Sequence, residues 1–161
     1  MDELVLARVL HVLGVVLWIG GVAMVTFVLL PSLAKMQSPS EAMAFFRQFR
    51  QKFAAQARLS TLVVGISGFY MIYALDIWHR FVQWQYWWMH AMVLIWLFFS
   101  VMLFVMEPQG RKQASAGASS SEVSAATFVK IQRKHLLLLV LGLLTIAGAV
   151  AGSHGWLISG T

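Results

Sequence analysis

Apolar residues in this chain gather into four long runs: Leu4 to Leu30, Leu59 to Ile77, Tyr86 to Met106 and His135 to Ile158. A helix needs about 20 mostly apolar residues to cross the hydrocarbon core of a bilayer. Runs of this length are the signature of membrane spans rather than of a packed water-soluble core. Hydrophobic residues make up 60% of the 161 and charged ones 11%, which leaves too little polar surface to clothe a globule. The expected fold is an all-α integral membrane protein, a four-transmembrane-helix bundle forming one domain over residues 1–161.

The charges orient the bundle. Lys35, Arg47, Arg50, Lys52 and Arg58 fall in the first connection, and Arg111, Lys112, Lys130, Arg133 and Lys134 in the third. Only Arg8 and Arg80 lie at the opposite ends. Basic residues concentrate on the cytoplasmic side, so both termini and the connection near Asp76 to Gln85 are expected on the outer, periplasmic side of a bacterial inner membrane. The net charge of +6 is then a topology signal with some attraction to anionic lipid heads, not the footprint of a nucleic-acid partner. Met1-Asp2-Glu3 is acidic and no small-residue cleavage pattern ends the first run, so no cleavable signal peptide is read here. There are no cysteines, which excludes c-type haem attachment, iron–sulfur clusters and disulfides.

Between the runs, Ser38-Pro39-Ser40-Glu41 reads as a helix start, with Ser38 capping and Glu41 completing a capping box. The amphipathic cytoplasmic helix that follows, about 39–57, sets Phe45, Phe46, Phe49 and Phe53 among Arg47, Arg50 and Lys52, a pattern that suits either a helix lying in the membrane interface or, favoured because no breaker precedes Arg58, an extension of the second span. Residues 109–121 are small and polar, a flexible cytoplasmic linker. Trp78, Trp84, Trp87, Trp88 and Trp156 form an interfacial belt at the opposite face.

Two histidines, His11 and His90, fall inside spans. An ionisable side chain in a membrane helix is costly and is a functional candidate for that reason. Imidazole is also a common metal ligand and a haem axial ligand. Ala7, His11, Gly14, Trp18 and Gly21 recur at spacings of four and three, one stripe of the first helix. Its small residues mark the side where a neighbour or cofactor comes close, so His11 is expected to face inward. At a rise of about 1.5 Å per residue, His11 and His90 reach comparable depth near the outer face. His154 is a backup ligand at the outer end of the fourth span, while His135 lies about 28 Å away at the inner end. Fourteen residues beyond His90 stands Phe104, not a second histidine, so a single centre is expected rather than two stacked haems.

The segment Arg8-Val9-Leu10-His11-Val12-Leu13-Gly14, with Trp18-Ile19-Gly20-Gly21, resembles the first span of the superfamily containing copper-resistance protein D and the HemJ-type protoporphyrinogen oxidases. Arg58 opening a glycine-containing second span, and Trp88-Met89-His90-Ala91 opening the third, are similar to the HemJ-type proteins. The resemblance implies a b-type haem in a four-helix bundle for one branch and copper handling for the other, and it maps the family's first-span histidine onto His11. The HemJ-type lysine after the third-span histidine is replaced here by Met92, which removes the one intramembrane base that porphyrin oxidation would use.

The leading expectation is a membrane b-type haem protein for electron transfer, alone or as the membrane subunit of a redox complex. It would have one haem near the outer face ligated by His11 and His90. Gly14, Gly20 and Gly21 would leave room for the porphyrin, and Arg8 or Arg80 would meet its propionates. The alternative is a copper-binding or copper-transport protein using His90 with Met89 and Met92. A HemJ-like oxidoreductase and a purely structural membrane subunit complete the set, so whether the chain is an enzyme stays open. The partners expected are membrane lipid, a quinone or a redox partner subunit, and a second copy in a homo-oligomer.

Overall fold

The structure, a computed structural model, describes residues 2–107 and 125–156. Its first long helix starts as α1 (Asp2–Met24), widens into a π-helical turn (Val25–Leu29) and ends as α2 (Leu30–Ala34). α3 runs unbroken from Pro39 to Ala74, so the basic, aromatic stretch is the near half of one 36-residue helix. Two 3₁₀ turns, Trp78–Val82 and Trp84–Tyr86, lead into α4 (Trp87–Val101) and a second π-helical turn (Met102–Met106). α5 covers Ala125–Ser153. Four of these helices, Asp2–Ala34, Pro39–Ala74, Trp84–Met106 and Thr127–Ser153, are long and apolar enough to cross a membrane. No strand occurs among the described residues. The linker expected at 109–121 lies outside them, as does Ile158, the expected end of the fourth span.

The helix boundaries have local causes. Ser38 takes up the N-cap of α3 in an extended conformation, and its hydroxyl accepts the Glu41 N–H at 3.4 Å. At the other end Asp76 adopts a left-handed conformation, φ 49°, which a short polar side chain tolerates better than most. The Ile77 and Asp76 N–H groups then close back onto the Ile72 and Tyr73 carbonyls. α5 ends by the same device, with Gly155 at φ 79° and the Trp156 and Gly155 N–H groups on the Ala151 and Gly152 carbonyls.

α1 and α3 form a long antiparallel pair. Stepping along α1, Glu3 meets Tyr70, His11 meets Ser67, Gly14 meets Val64, Leu17 meets Gln56 and Gly21 meets Phe53. α5 packs against α2 at one end and α4 at the other. One core cluster joins Trp18, Ile19, Val22, Val64, Phe99 and Leu139. A second, built of Val25, Leu30, Leu33, Ala42 and Phe128, lies toward the end that carries the basic residues. Much of the remaining apolar surface points outward, including Val5, Leu6, Val9, Val12, Leu13 and Val16 on α1. An outward-facing apolar coat over a small-residue interior is the arrangement a lipid solvent favours.

Both π-helical turns are followed by a proline and leave one carbonyl without its helical donor. The Leu30 N–H reaches back five residues to Val25 O, and the Glu107 N–H likewise to Met102 O. Thr26 and Leu103 are thereby skipped, and the residues five beyond them, Pro31 and Pro108, carry no N–H. A neighbouring helix supplies each missing donor: Gln132 Nε2 to Thr26 O at 3.1 Å, and Arg58 Nε to Leu103 O at 3.0 Å. Residues 25–31 (VTFVLLP) and 102–108 (MLFVMEP) thus repeat one device in two spans.

Candidate functional site

His11 stands on α1 where the expected stripe places it, between buried Ala7 and Gly14 and turned onto α3. Its Nδ1 lies 3.1 Å from the Val64 carbonyl and 3.2 Å from Ser67 Oγ. A carbonyl only accepts, so Nδ1 carries the proton and Nε2 keeps its lone pair. Gly68 makes the close approach possible, since a Cβ there would meet the imidazole Cε1 at 3.1 Å. Among the described residues Nε2 makes no hydrogen bond. An imidazole fixed through Nδ1 on a backbone carbonyl, with Nε2 left to donate electrons, is the arrangement that orients a ligating histidine.

His90 is held differently. Its Nε2 donates to the Phe81 carbonyl at 2.9 Å, and its ring stands edge-on to the Phe81 ring at 5.5 Å. It therefore ties the start of α4 to the Trp78–Val82 turn. The contact of Trp18 with Phe99, centroids 4.9 Å apart, gives a common level for α1 and α4. His11 stands about 10 Å and His90 about 14 Å from that level toward the tryptophan-rich end, similar heights in the bundle. Azimuth separates them: nine residues at about 100° each turn His90 roughly half a revolution away from Phe99. No hydrogen bond or ring contact among the described residues joins the two histidines.

The remaining candidates are dispersed. Met92 lies within about 20° of Phe99 on α4 and about 200° around from His90, so the two do not share a face. His154 bonds through Nδ1 to Val150 O at 2.8 Å, within its own helix end. Arg8 is exposed on α1, and the Arg80 guanidinium lies 5.0 Å over the Tyr86 ring. His135 bonds back to Ile131 O in α5, and His79 is exposed. Among the described residues no three His, Asp or Glu side chains converge.

The glycines admit the chain's own side chains. A Cβ at Gly14 would strike Val64, one at Gly21 the Phe53 ring, and one at Gly65 the Trp96 indole. Gly148 and Gly152 receive the Trp87 and Trp88 rings in the same way, while Gly20 faces nothing within 4 Å. His11 offers the donor chemistry of an axial haem ligand, an imidazole anchored through Nδ1. The expected pairing with His90 and the expected porphyrin slot at Gly14 and Gly21 are not laid out in this arrangement.

Among the polar groups that the sequence pattern did not single out is Glu107. Glu107 pairs with Arg58 Nη2 where α3 and the end of the third span meet. Glu107 stands between an apolar run and a proline, and that position is its signal: an acid at the end of a span needs a cationic partner. No family model, curated protein or solved structure matches this chain.

Proposed function

We propose that this chain is a multi-pass protein of a bacterial inner membrane, both ends outward, that carries one b-type haem for electron transfer, alone or within a redox complex. The observation that supports it is His11: an imidazole in an apolar span, fixed through Nδ1 on Val64 O, with Nε2 unengaged among the described residues. Ser67 and Gly68 complete its seat on α3. A bound haem b supplies a one-electron couple. The chain's part is to hold the imidazole in one tautomer, with Nδ1 on the Val64 carbonyl. The basic residues on α3 and α5 support the orientation, since they gather at the end remote from the tryptophans.

The test is a reduced-minus-oxidised optical spectrum of protein purified from haem-replete cells. Bands that vanish in His11→Ala and survive in His90→Ala support the proposal. Bands lost in both variants restore a two-histidine ligation, and no bands in the wild-type protein refute haem binding.

A second reading, a structural subunit whose histidines tie segments together, is favoured by the His90 bond to Phe81 O. It predicts no haem spectrum and a loss of thermal stability in both histidine variants.

A further inference from the structure

We infer that the α3–α4 seam holds a buried water site between Trp96 and Arg58. Along α4, Trp96, Ser100 and Leu103 follow one another at spacings of four and three, which is one stripe. The first and last of these touch α3: Trp96 Nε1 donates to Thr61 O at 2.9 Å, and Leu103 O receives Arg58 Nε at 3.0 Å. Ser100 lies between them along the axis and about 40° around the helix from Trp96, which puts it on the α3 side of α4. Thr61 stands one turn from Arg58 on the opposite wall.

Thr61 Oγ1 and Ser100 Oγ are both buried without a hydrogen-bond partner among the described residues, and Thr61 is 0% exposed. Trp18 Nε1 is a third such atom, on the ring that meets Phe99, the neighbour of Ser100. The other hydroxyls of the bundle behave differently. Thr26, Ser60, Ser67 and Thr145 each fold back onto the carbonyl four residues earlier, the usual solution for a hydroxyl in an apolar helix. Two hydroxyls that decline this bond at one level of the α3–α4 seam need a partner that both donates and accepts. Water is the smallest molecule that does so, and buried waters characteristically make about three such bonds. The Arg58–Glu107 pair lies one turn further toward the basic end. The hydrated seam stands whether or not His11 binds a haem.

Hydroxyl-radical footprinting of the full chain in detergent micelles tests this, because radicals made from bound water mark the side chains around it. In the wild-type protein Trp18 and Trp96 should be oxidised although buried or half-buried. In Thr61→Val/Ser100→Ala the oxidation at both should fall several-fold, with exposed Trp84 unchanged as the dose control. Thr61→Ser keeps the hydroxyl and should label like wild type, and it stands in with Thr61→Val should the double variant fail to fold. Equal labelling of Trp18 and Trp96 with and without the hydroxyls, or none above background in the wild-type protein, overturns the site.

Discussion

Arg58 and Leu103 face each other across the α3–α4 seam, and the guanidinium Nε donates to the Leu103 carbonyl at 3.0 Å while Nη2 pairs with Glu107. One planar group thus satisfies a carbonyl stranded by a π-helical turn and an acid at the end of an apolar span. A lysine offers a single charged point and cannot fill both places at once. Arg58→Lys should therefore lower stability by about 1 kcal/mol and Arg58→Ala by more, about 2 kcal/mol, in line with losing hydrogen bonds to a charged group. Thermal unfolding in detergent checks the order; equal losses for the two variants would contradict the double role.

Gln132 should matter only because Pro31 is where it is. In the wild-type chain Gln132→Leu leaves Thr26 O unsatisfied and should cost about 1–3 kcal/mol. In a Pro31→Ala background the restored N–H can serve that carbonyl, and the same substitution should cost much less. A double-mutant cycle measured by thermal unfolding reads the coupling directly, and strict additivity would count against it.

Glycine positions separate cleanly by what stands opposite. A Cβ at Gly65 would lie 2.6 Å from the Trp96 ring and push the indole off Thr61 O. Overpacking of this kind costs about 1–3 kcal/mol. Gly20 meets nothing within 4 Å, so Gly20→Ala should leave stability unchanged or slightly raised. Melting curves of Gly65→Ala and Gly20→Ala side by side make the comparison.

His90→Phe retains an aromatic ring beside Phe81 and loses the bond to its carbonyl. Amide exchange across Trp78–Val82 should quicken while exchange at Val64 to Gly68 stays as it was. The reverse pattern is expected for His11→Ala. Hydrogen–deuterium exchange resolved by fragment tells the two histidines apart without reference to any cofactor.

The four helices were legible because apolar run length reports the solvent a helix needs, and that signal is strong over twenty residues. The inward turn of His11 was legible too, from the spacing of Ala7, Gly14 and Trp18, all three of which are buried. Small residues on a stripe, however, say that something comes close without saying what. At Gly14, Gly21 and Gly65 it is Val64, Phe53 and Trp96, partners more than thirty residues away in the chain that no local pattern names. The orientation of His90 was hidden for a related reason. Its partner is a main-chain carbonyl in the Trp78–Val82 turn, and carbonyls leave no mark in a sequence. The π-helical turns were half visible: each proline announces a missing donor, but whether Gln132 or Arg58 reaches it depends on how the helices assemble.

Those borrowed donors also fix how the helices may turn. A greasy helix among greasy helices slides and rotates with little penalty, because one leucine is much like the next. Here Gln132 on Thr26 O and Arg58 on Leu103 O act as index pins. Rotating either span by a single residue would pull the pin and strand a carbonyl in hydrocarbon. The two prolines thereby give an otherwise slippery bundle a single angular setting.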